Sequence, residues 1–491
     1  MLGDSPRRDS RVGGFLSRLG LWAGIAVVVA VAYLVWVKFE WSRPTGRLRQ
    51  PLQVLGRHAE IALDVADRGT GLASVEVSID AAGTRYQVLS ETYPNASWRG
   101  SGIYEKAFTL PVAPRDAKMP EGPATLVVSA KDGSWLNLFR ATPPLLTLPL
   151  QIDYTPPNVE ALTSQHYMRL GGSDVVVYKV SKDAVRSGVA VERYVFPGTK
   201  GLLPDPDVAV ALFAVPQDLT VGARPKIFAE DAAGNRRETD FWVSIKPRQF
   251  AERTLNVDDA FLQRKVPELL ELNHLSPTDD LVAGYLEINR TLRQKSEETI
   301  RKVCSQSEPR LLWTEVFLRQ PDSAPLSSFA DRRTYKHDDK TIDSQTHLGF
   351  DLASLRQSPV IAENTGKVAF ADNLGIYGNA VILDHGLGLF SLYGHLSSIG
   401  VAAGQQVQRG DSIGRTGETG LAAGDHLHFS IMVDGVHVDP VEWWDPKWVA
   451  DHVTEKIRSF EHPTTQAPPA SGASAEPAPA EGAARRARRH R

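Results

Sequence analysis

At 491 residues the chain is long enough for about three domains of roughly 100–200 residues each. A formal net charge of -3 with an ordinary apolar share excludes the strongly basic surface of a nucleic-acid binder, and no nucleic-acid partner is expected. The single cysteine, Cys304, excludes both an intramolecular disulfide and a cysteine-ligated zinc site.

Leu19 to Val37 is an unbroken apolar and small-residue run, close to the roughly 20 residues that cross a bilayer as a helix. Arg7, Arg8, Arg11 and Arg18 precede it and, by the positive-inside rule, keep residues 1–18 in the cytoplasm. Trp22 and Trp36 lie towards its two ends, where interfacial aromatics gather. The run is long for a signal-peptide core, and Lys38-Phe39-Glu40-Trp41 is a poor cleavage site. These features predict an uncleaved single-pass anchor over 19–37, with the bulk of the chain outside the cytoplasmic membrane.

From about 50 to 247 the chain reads as short β-rich segments punctuated by Gly, Pro, Asn and Asp. Gly71 to Val77 is echoed by Gly188 to Tyr194, and Val127 to Gly133 by Lys226 to Ala232. Asp153-Tyr154-Thr155-Pro156-Pro157 separates the two units. The expectation is two immunoglobulin-like β-sandwiches, 50–152 and 153–247, serving as spacers. Over 254–305 the period changes: Leu281, Tyr285, Ile288 and Leu292 form one helical stripe, started by Ser276-Pro277 with Asp279 and Asp280 in the first turn. Val257 to Leu272 also reads as helix. This helical segment packs against a neighbour, and a lid over a site is the alternative. Residues 463–491, rich in Pro, Ala, Ser and Glu with a basic end, read as a disordered tail.

The chemistry lies between 332 and 445. His426 and His428 alternate with apolar Leu427, Phe429, Ile431 and Val433, the period of a strand that presents both imidazoles on one face. One can then hold a metal while the other addresses water or substrate. His347 and Asp351 would stand about 13 Å apart on a straight strand, too far for ligands of one ion, so the chain must bend between them, and Gly349 permits it. Two imidazoles and one carboxylate make the three-ligand, open-position set of catalytic zinc.

Four strings, His347-Leu348-Gly349-Phe350-Asp351, Tyr393-Gly394-His395-Leu396, Gly424-Asp425-His426-Leu427-His428-Phe429 and Val438-Asp439-Pro440, occur in this order in glycine-rich context. With Phe329-Ala330-Asp331-Arg332-Arg333, Tyr377-Gly378-Asn379 and Asp384-His385-Gly386, they make residues 326–446 resemble the lysostaphin-type (LytM) zinc metallopeptidases, which cleave peptides of peptidoglycan. The resemblance implies a small antiparallel β-domain, placed at 306–450, with a groove over one Zn2+. The fold class is then multidomain and mainly β.

By matching positions, the resemblance makes His347, Asp351 and His428 the zinc ligands. It makes His395 and His426 the catalytic histidines that handle the proton and stabilise the transition state. Tyr393 is expected at the same rim as a substrate contact, with packing the alternative for a tyrosine two residues from a catalytic histidine. His337, His385 and His437 are read as structural, and Trp443 and Trp444 as core. The implied partners are peptidoglycan stem peptides and, through 19–37, the inner membrane of a bacterium, with any envelope regulator unknown. The alternatives are a catalytically silent scaffold or activator of other wall hydrolases, and an envelope tether.

Overall fold

In the computed structural model, which describes residues 11–95 and 100–461 and side chains from residue 18 onward, the apolar run forms one helix, Arg11–Lys38. Within its stretch Arg18–Lys38 an apolar window has a mean hydropathy of 2.3 and is uncovered by the rest of the protein, which meets the length and composition of a membrane span. Arg7 and Arg8 and the tail 463–491 lie outside the described residues.

The first β-module closes two sheets on one core. A three-stranded sheet runs in the order Thr45–Leu48, Ala59–Ala66, Glu105–Val112. A five-stranded sheet runs Val54–Leu55, Leu146–Ile152, Gly122–Asp132, Leu72–Ala81, Thr84–Thr92. Alternate residues Ile61, Leu63 and Val65 face Val75, Val77, Ile79, Leu126 and Val128 across the interior. In the second module two four-stranded sheets do the same around Val176, Tyr178, Val189, Phe196 and Phe213. The two echoed sequence stretches turn out to be bonded partners: Leu72–Ala81 pairs with Gly122–Asp132, and Ala184–Val191 with Lys226–Asp231, both antiparallel.

The last domain is built on an all-antiparallel sheet. Its order is Ala324–Ser327, Phe350–Ala353, Leu427–Val433, Leu389–Leu396, Asn379–Gly386, Gly366–Asn373, Gln406–Val407, with Val436–Val438 also on the third of these. Leu427–Val433 is buried along its whole length. One face sends Leu427, Phe429, Ile431 and Val433 into the core shared with the second module and the C-terminal helices. Burying each is worth about 1.5–3 kcal/mol. The other face sends Met432, with Ile382, Phe390 and Leu392, into a core made with the helices.

Those helices are Asp259–Leu272, Leu281–Glu287, a π-turn Ile288–Leu292 and Arg293–Cys304. Tyr285, Ile288 and Leu292 of the expected stripe are buried, while the start differs. Asp280 is the N-cap, accepting from Ala283 N at 3.0 Å, so it precedes the first turn. Residues 254–256, expected to open the helical segment, instead belong to the strand Glu252–Asn256, which runs parallel to Arg332–His337. The second module is not a free spacer. Asp439 N donates to Gly171 O at 2.9 Å, Lys456 Nζ reaches Asp174 Oδ1 at 2.6 Å, and one apolar core runs through both units.

Glu363 lies fully buried, with Oε2 accepting from Trp444 Nε1 at 2.6 Å and Oε1 without a hydrogen-bond partner among the described residues. Burial raises its pKa well above the ordinary 4.5, against the smaller opposing pull of the Trp444 bond. A carboxyl raised in the folded state contributes stability fully below its unfolded value and loses it as pH rises through the folded value. Glu363→Gln, neutral throughout, should therefore melt close to wild type at about pH 5 and above it at about pH 8. Thermal melts of both proteins across this range check it; a pH-independent difference would leave the Glu363 charge without effect.

Candidate metal centre and catalytic site

Asp351 and His428 are direct cross-strand partners in the pair Phe350–Ala353 and Leu427–Val433, so the sheet itself sets them side by side. His347 follows the strand Lys340–Thr346, and the chain bends at Gly349 before Phe350. Glycine meets a second need there, because a Cβ would collide with the His428 ring and the Ser430 hydroxyl. The donors close into a triangle. Asp351 Oδ1 lies 2.9 Å from His347 Nε2 and 3.0 Å from His428 Nδ1, and the two nitrogens are 3.0 Å apart. All three residues are buried.

Each imidazole is held by its far nitrogen. His347 Nδ1 donates to Ser328 O at 3.0 Å, His395 Nδ1 to Thr419 O at 2.9 Å and His426 Nδ1 to Gly424 O at 2.8 Å. Ser430 Oγ donates to Leu348 O at 2.8 Å and so accepts from His428 Nε2 at 3.1 Å. These bonds fix the tautomers and leave His347 Nε2, His428 Nδ1, His395 Nε2 and His426 Nε2 as acceptors. On the far side of Asp351, Oδ2 takes Arg333 at 2.8 Å, and the same guanidinium nitrogen donates to Ser327 Oγ at 2.8 Å.

Burial works against a charge on Asp351, yet His347, then His426 and His428, outweigh it and hold its pKa well below the usual range. Burial pushes His428 down to about 4, against its bond to Asp351. His395 lies well below its ordinary value through burial and the neighbouring His426 and His428. Burial opposes a charge on His426 too, but Asp351, 3.6 Å from its Nε2, leaves it raised.

A β-bulge aims His395. Asn379 pairs with Leu396 and Val381 with Tyr393, so Gly394 and His395 together oppose Ala380. His395 takes φ +61°, a left-handed conformation uncommon outside glycine. Its ring comes 4.8 Å from that of His426 and 5.8 Å from that of His428. The bulge also corrects the expectation for Tyr393. Regular alternation puts residues 393 and 395 on one face, but the extra residue sends them to opposite faces. Tyr393 is fully buried in the core beside Phe429, its hydroxyl accepting from Glu363 N at 2.8 Å, and contributes nothing to the groove. The tyrosine at the site is Tyr377, whose ring stands 5.1 Å from His428 and which lines the cavity. Its signal was the glycine beside it: Gly378 has φ +62°, and a side chain there would collide with Thr419.

The five residues open into a cavity of about 810 Å³, lined also by Leu255, Phe261, Arg264 and Leu421 to Asp425. His385 is apart from it, bonded to Thr365 O and Ser391 Oγ and pushed by burial to about 4. His437 pairs with Glu297 at 3.2 Å, and His337 Nδ1 with Val257 O at 2.8 Å.

The profile of Peptidase family M23 matches residues 345–440. These residues form a peptidase family M23 domain. The DD-carboxypeptidase/endopeptidase Mpg of Neisseria meningitidis serogroup B is 41% identical over 95 residues, 19% of this chain and 22% of that protein. The peptidoglycan DD-endopeptidase ShyA of Vibrio cholerae serotype O1 is 38% identical over 96 residues, 20% of this chain and 22% of its own. The chain thus matches about a fifth of the length of these curated relatives. Among solved structures, a putative peptidase M23 from Pseudomonas aeruginosa aligns over 55% of this chain and 92% of its own at 22% identity, with a TM-score of 0.34. The lysostaphin catalytic domain from Staphylococcus simulans aligns over 20% and 79% at 32% identity, with a TM-score of 0.19.

The residues present fit zinc. Two imidazole nitrogens held unprotonated and one carboxylate converge on a single point and leave a side open to the cavity. Arg333 orients the carboxylate of that set. Arg333→Met should lower zinc affinity about 10–100-fold with the fold intact, the usual effect of losing such a partner. Competition with a chromophoric chelator measures it, alongside circular dichroism; unchanged affinity would show that the sheet alone positions Asp351.

Proposed function

We propose that the chain is a membrane-anchored zinc metalloendopeptidase that hydrolyses peptide crosslinks of bacterial peptidoglycan, with stem peptides as substrate. The observation that carries this reading is the buried His347–Asp351–His428 triangle on the floor of an open cavity, within an M23 domain whose relatives are named DD-endopeptidases. Residues 19–37 are the anchor to the inner membrane, with the basic N-terminus inside and the bulk of the chain periplasmic. Residues 50–152 and 153–247 are immunoglobulin-like modules, the helices between Asp259 and Cys304 form part of the groove wall, and 306–450 is the peptidase domain.

His347 Nε2, Asp351 Oδ1 and His428 Nδ1 would hold zinc. When bound there, the metal supplies a water of lowered pKa and polarises the scissile carbonyl. His395 and His426 handle the proton. With Nδ1–H engaged on Thr419 O and Gly424 O, each presents a bare Nε2 able to take a proton from the attacking water. Once protonated, the same nitrogen donates towards the oxyanion and then to the leaving amine. The cavity beside the two imidazoles is where the peptide would lie.

The test is digestion of purified crosslinked peptidoglycan by the detergent-solubilised chain, with and without a chelator, products being read by mass. Chelator-sensitive conversion of crosslinked dimers to monomers is expected. His428→Ala should lose both zinc and activity. His426→Ala should keep zinc and lose about 10²–10⁴-fold in rate, the contribution of a positioned acid–base group. Full activity in the His426 variant would remove its assigned role. A zinc-free, inactive wild type would favour the scaffold reading.

A further inference from the structure

A second cluster of donors lies about the joint between the apolar helix and the first module. Glu40 follows the helix Arg11–Lys38 by two residues, Asp67 follows the strand Ala59–Ala66, and Asp132 ends the strand Gly122–Asp132. One carboxylate oxygen from each lies within 4.8 Å of the other two. Asp67 is 2% exposed and Asp132 4%. Three carboxylates this close repel one another and lose hydration, a cost that a buried cation normally offsets.

Asp67 and Asp132 are each held by one oxygen and Glu40 by both, its Oε1 accepting from the Ser42 hydroxyl. Asp67 Oδ2 accepts from Gly71 N at 2.7 Å and Gly69 N at 3.3 Å, Asp132 Oδ1 from Asn137 Nδ2 at 2.6 Å and Ser134 N at 2.9 Å, and Glu40 Oε2 from Thr70 N at 2.6 Å. Among the described residues the other Asp67 oxygen, Oδ1, is buried without a hydrogen-bond partner, and so is the hydroxyl of Thr70, itself 3% exposed. Thr70 lies beside two of the acids. Its N–H is on Glu40, and its Oγ1 lies 3.4 Å from where a Cβ on Gly133 would be, next to Asp132. Burial, then the charge of Glu40 and, more weakly, that of Asp132, raise the pKa of Asp67, with only the backbone amides of Gly71 and Gly69 opposing them.

The geometry points to a binding site for a hard divalent cation of the calcium class, with Glu40, Asp67 and Asp132 as carboxylate ligands and Thr70 adding its hydroxyl. The donors are all oxygen, with no imidazole or thiolate, which selects against zinc. Calcium accepts six to eight oxygens in irregular geometry and tolerates a site completed by water. The consequence is mechanical. Glu40 belongs to the segment leaving the helix and the other ligands to the module, so a bound cation clamps one to the other. The same joint holds Ser134 Oγ at 3.2 Å from both Lys38 O and Glu40 O, and the Phe39 ring 6.0 Å from that of Trp135. The inference is independent of the peptidase reading.

Terbium, a calcium mimic excited through nearby tryptophan, reports the site in the zinc-loaded full chain in detergent. Trp135 and Trp41 are the nearby sensitisers in sequence. Saturable luminescence reversed by calcium is expected, with affinity lowered at least about tenfold in Glu40→Gln and in Asp67→Asn. Calcium should also slow chymotryptic cleavage at Trp41, 80% exposed, in the wild type and not in Glu40→Gln, a readout that does not require the buried variant to fold. No saturable signal in the wild type would overturn the site and leave the cluster holding a shared proton. A signal equal in wild type and both variants, or one lost only in His428→Ala, would overturn it as well.

Discussion

Everything at the peptidase centre depends on one buried charge, that of Asp351. A carboxylate 5% exposed at the middle of a sheet is tolerated only where compensation is built around it. The register supplies His428 directly opposite, the bend at Gly349 returns His347 to the same oxygen, and Arg333 takes the other oxygen. The imidazoles must in turn be oriented, and each is tied by its outer nitrogen to a carbonyl or hydroxyl. The charge fixes the rings, and the rings fix the loops that carry them. The segment Thr419–Gly424 is held where His395 and His426 need it because its carbonyls are their hydrogen-bond acceptors.

Much of this was legible in the sequence because a strand has a short period and one face here is purely apolar. Leu427, Phe429, Ile431 and Val433 announce a buried face, and His426 and His428 must then share the other. Nearness in sequence to His395 misled at Tyr393. A bulge changes parity without changing composition, and Gly394 before His395 is too common a pairing to announce one. The echoed strands of the two modules were readable as repeats, but their pairing with each other within each module needs the sheet order. The fusion of the second module with the peptidase domain was not readable, because its contacts join positions far apart in the chain, such as Asp174 and Lys456.

The helical segment was read from its stripe as packing against something, and the structure shows what that something is. Its helices cover the face of the sheet that carries His428 and Met432. Helix Asp259–Leu272 also reaches across to the loop before His426, with Lys265 Nζ on Glu418 O and Arg264 on Ala423 O. One wall of the cavity is therefore made of residues that no peptidase motif includes.

The same holds deeper in the site. Burial opposes a charge on Glu297, in helix Arg293–Cys304, yet His437 and then Tyr377 hold its pKa at about 2. Its Oε1 accepts from the Tyr377 hydroxyl at 2.7 Å, which fixes the ring that rests on His428. The carbonyl that orients His347 belongs to Ser328, and the guanidinium on Asp351 to Arg333, both before the first residue of the family match at 345. The matched stretch thus contains the groups that face the cavity, while the orientation of three of them, His347, Asp351 and Tyr377, is set from outside it. A family pattern records donors because the chemistry dictates their type and spacing. The groups behind them need only offer a carbonyl, a charge or a flat ring at the right distance, a requirement that many sequences meet and no short motif expresses.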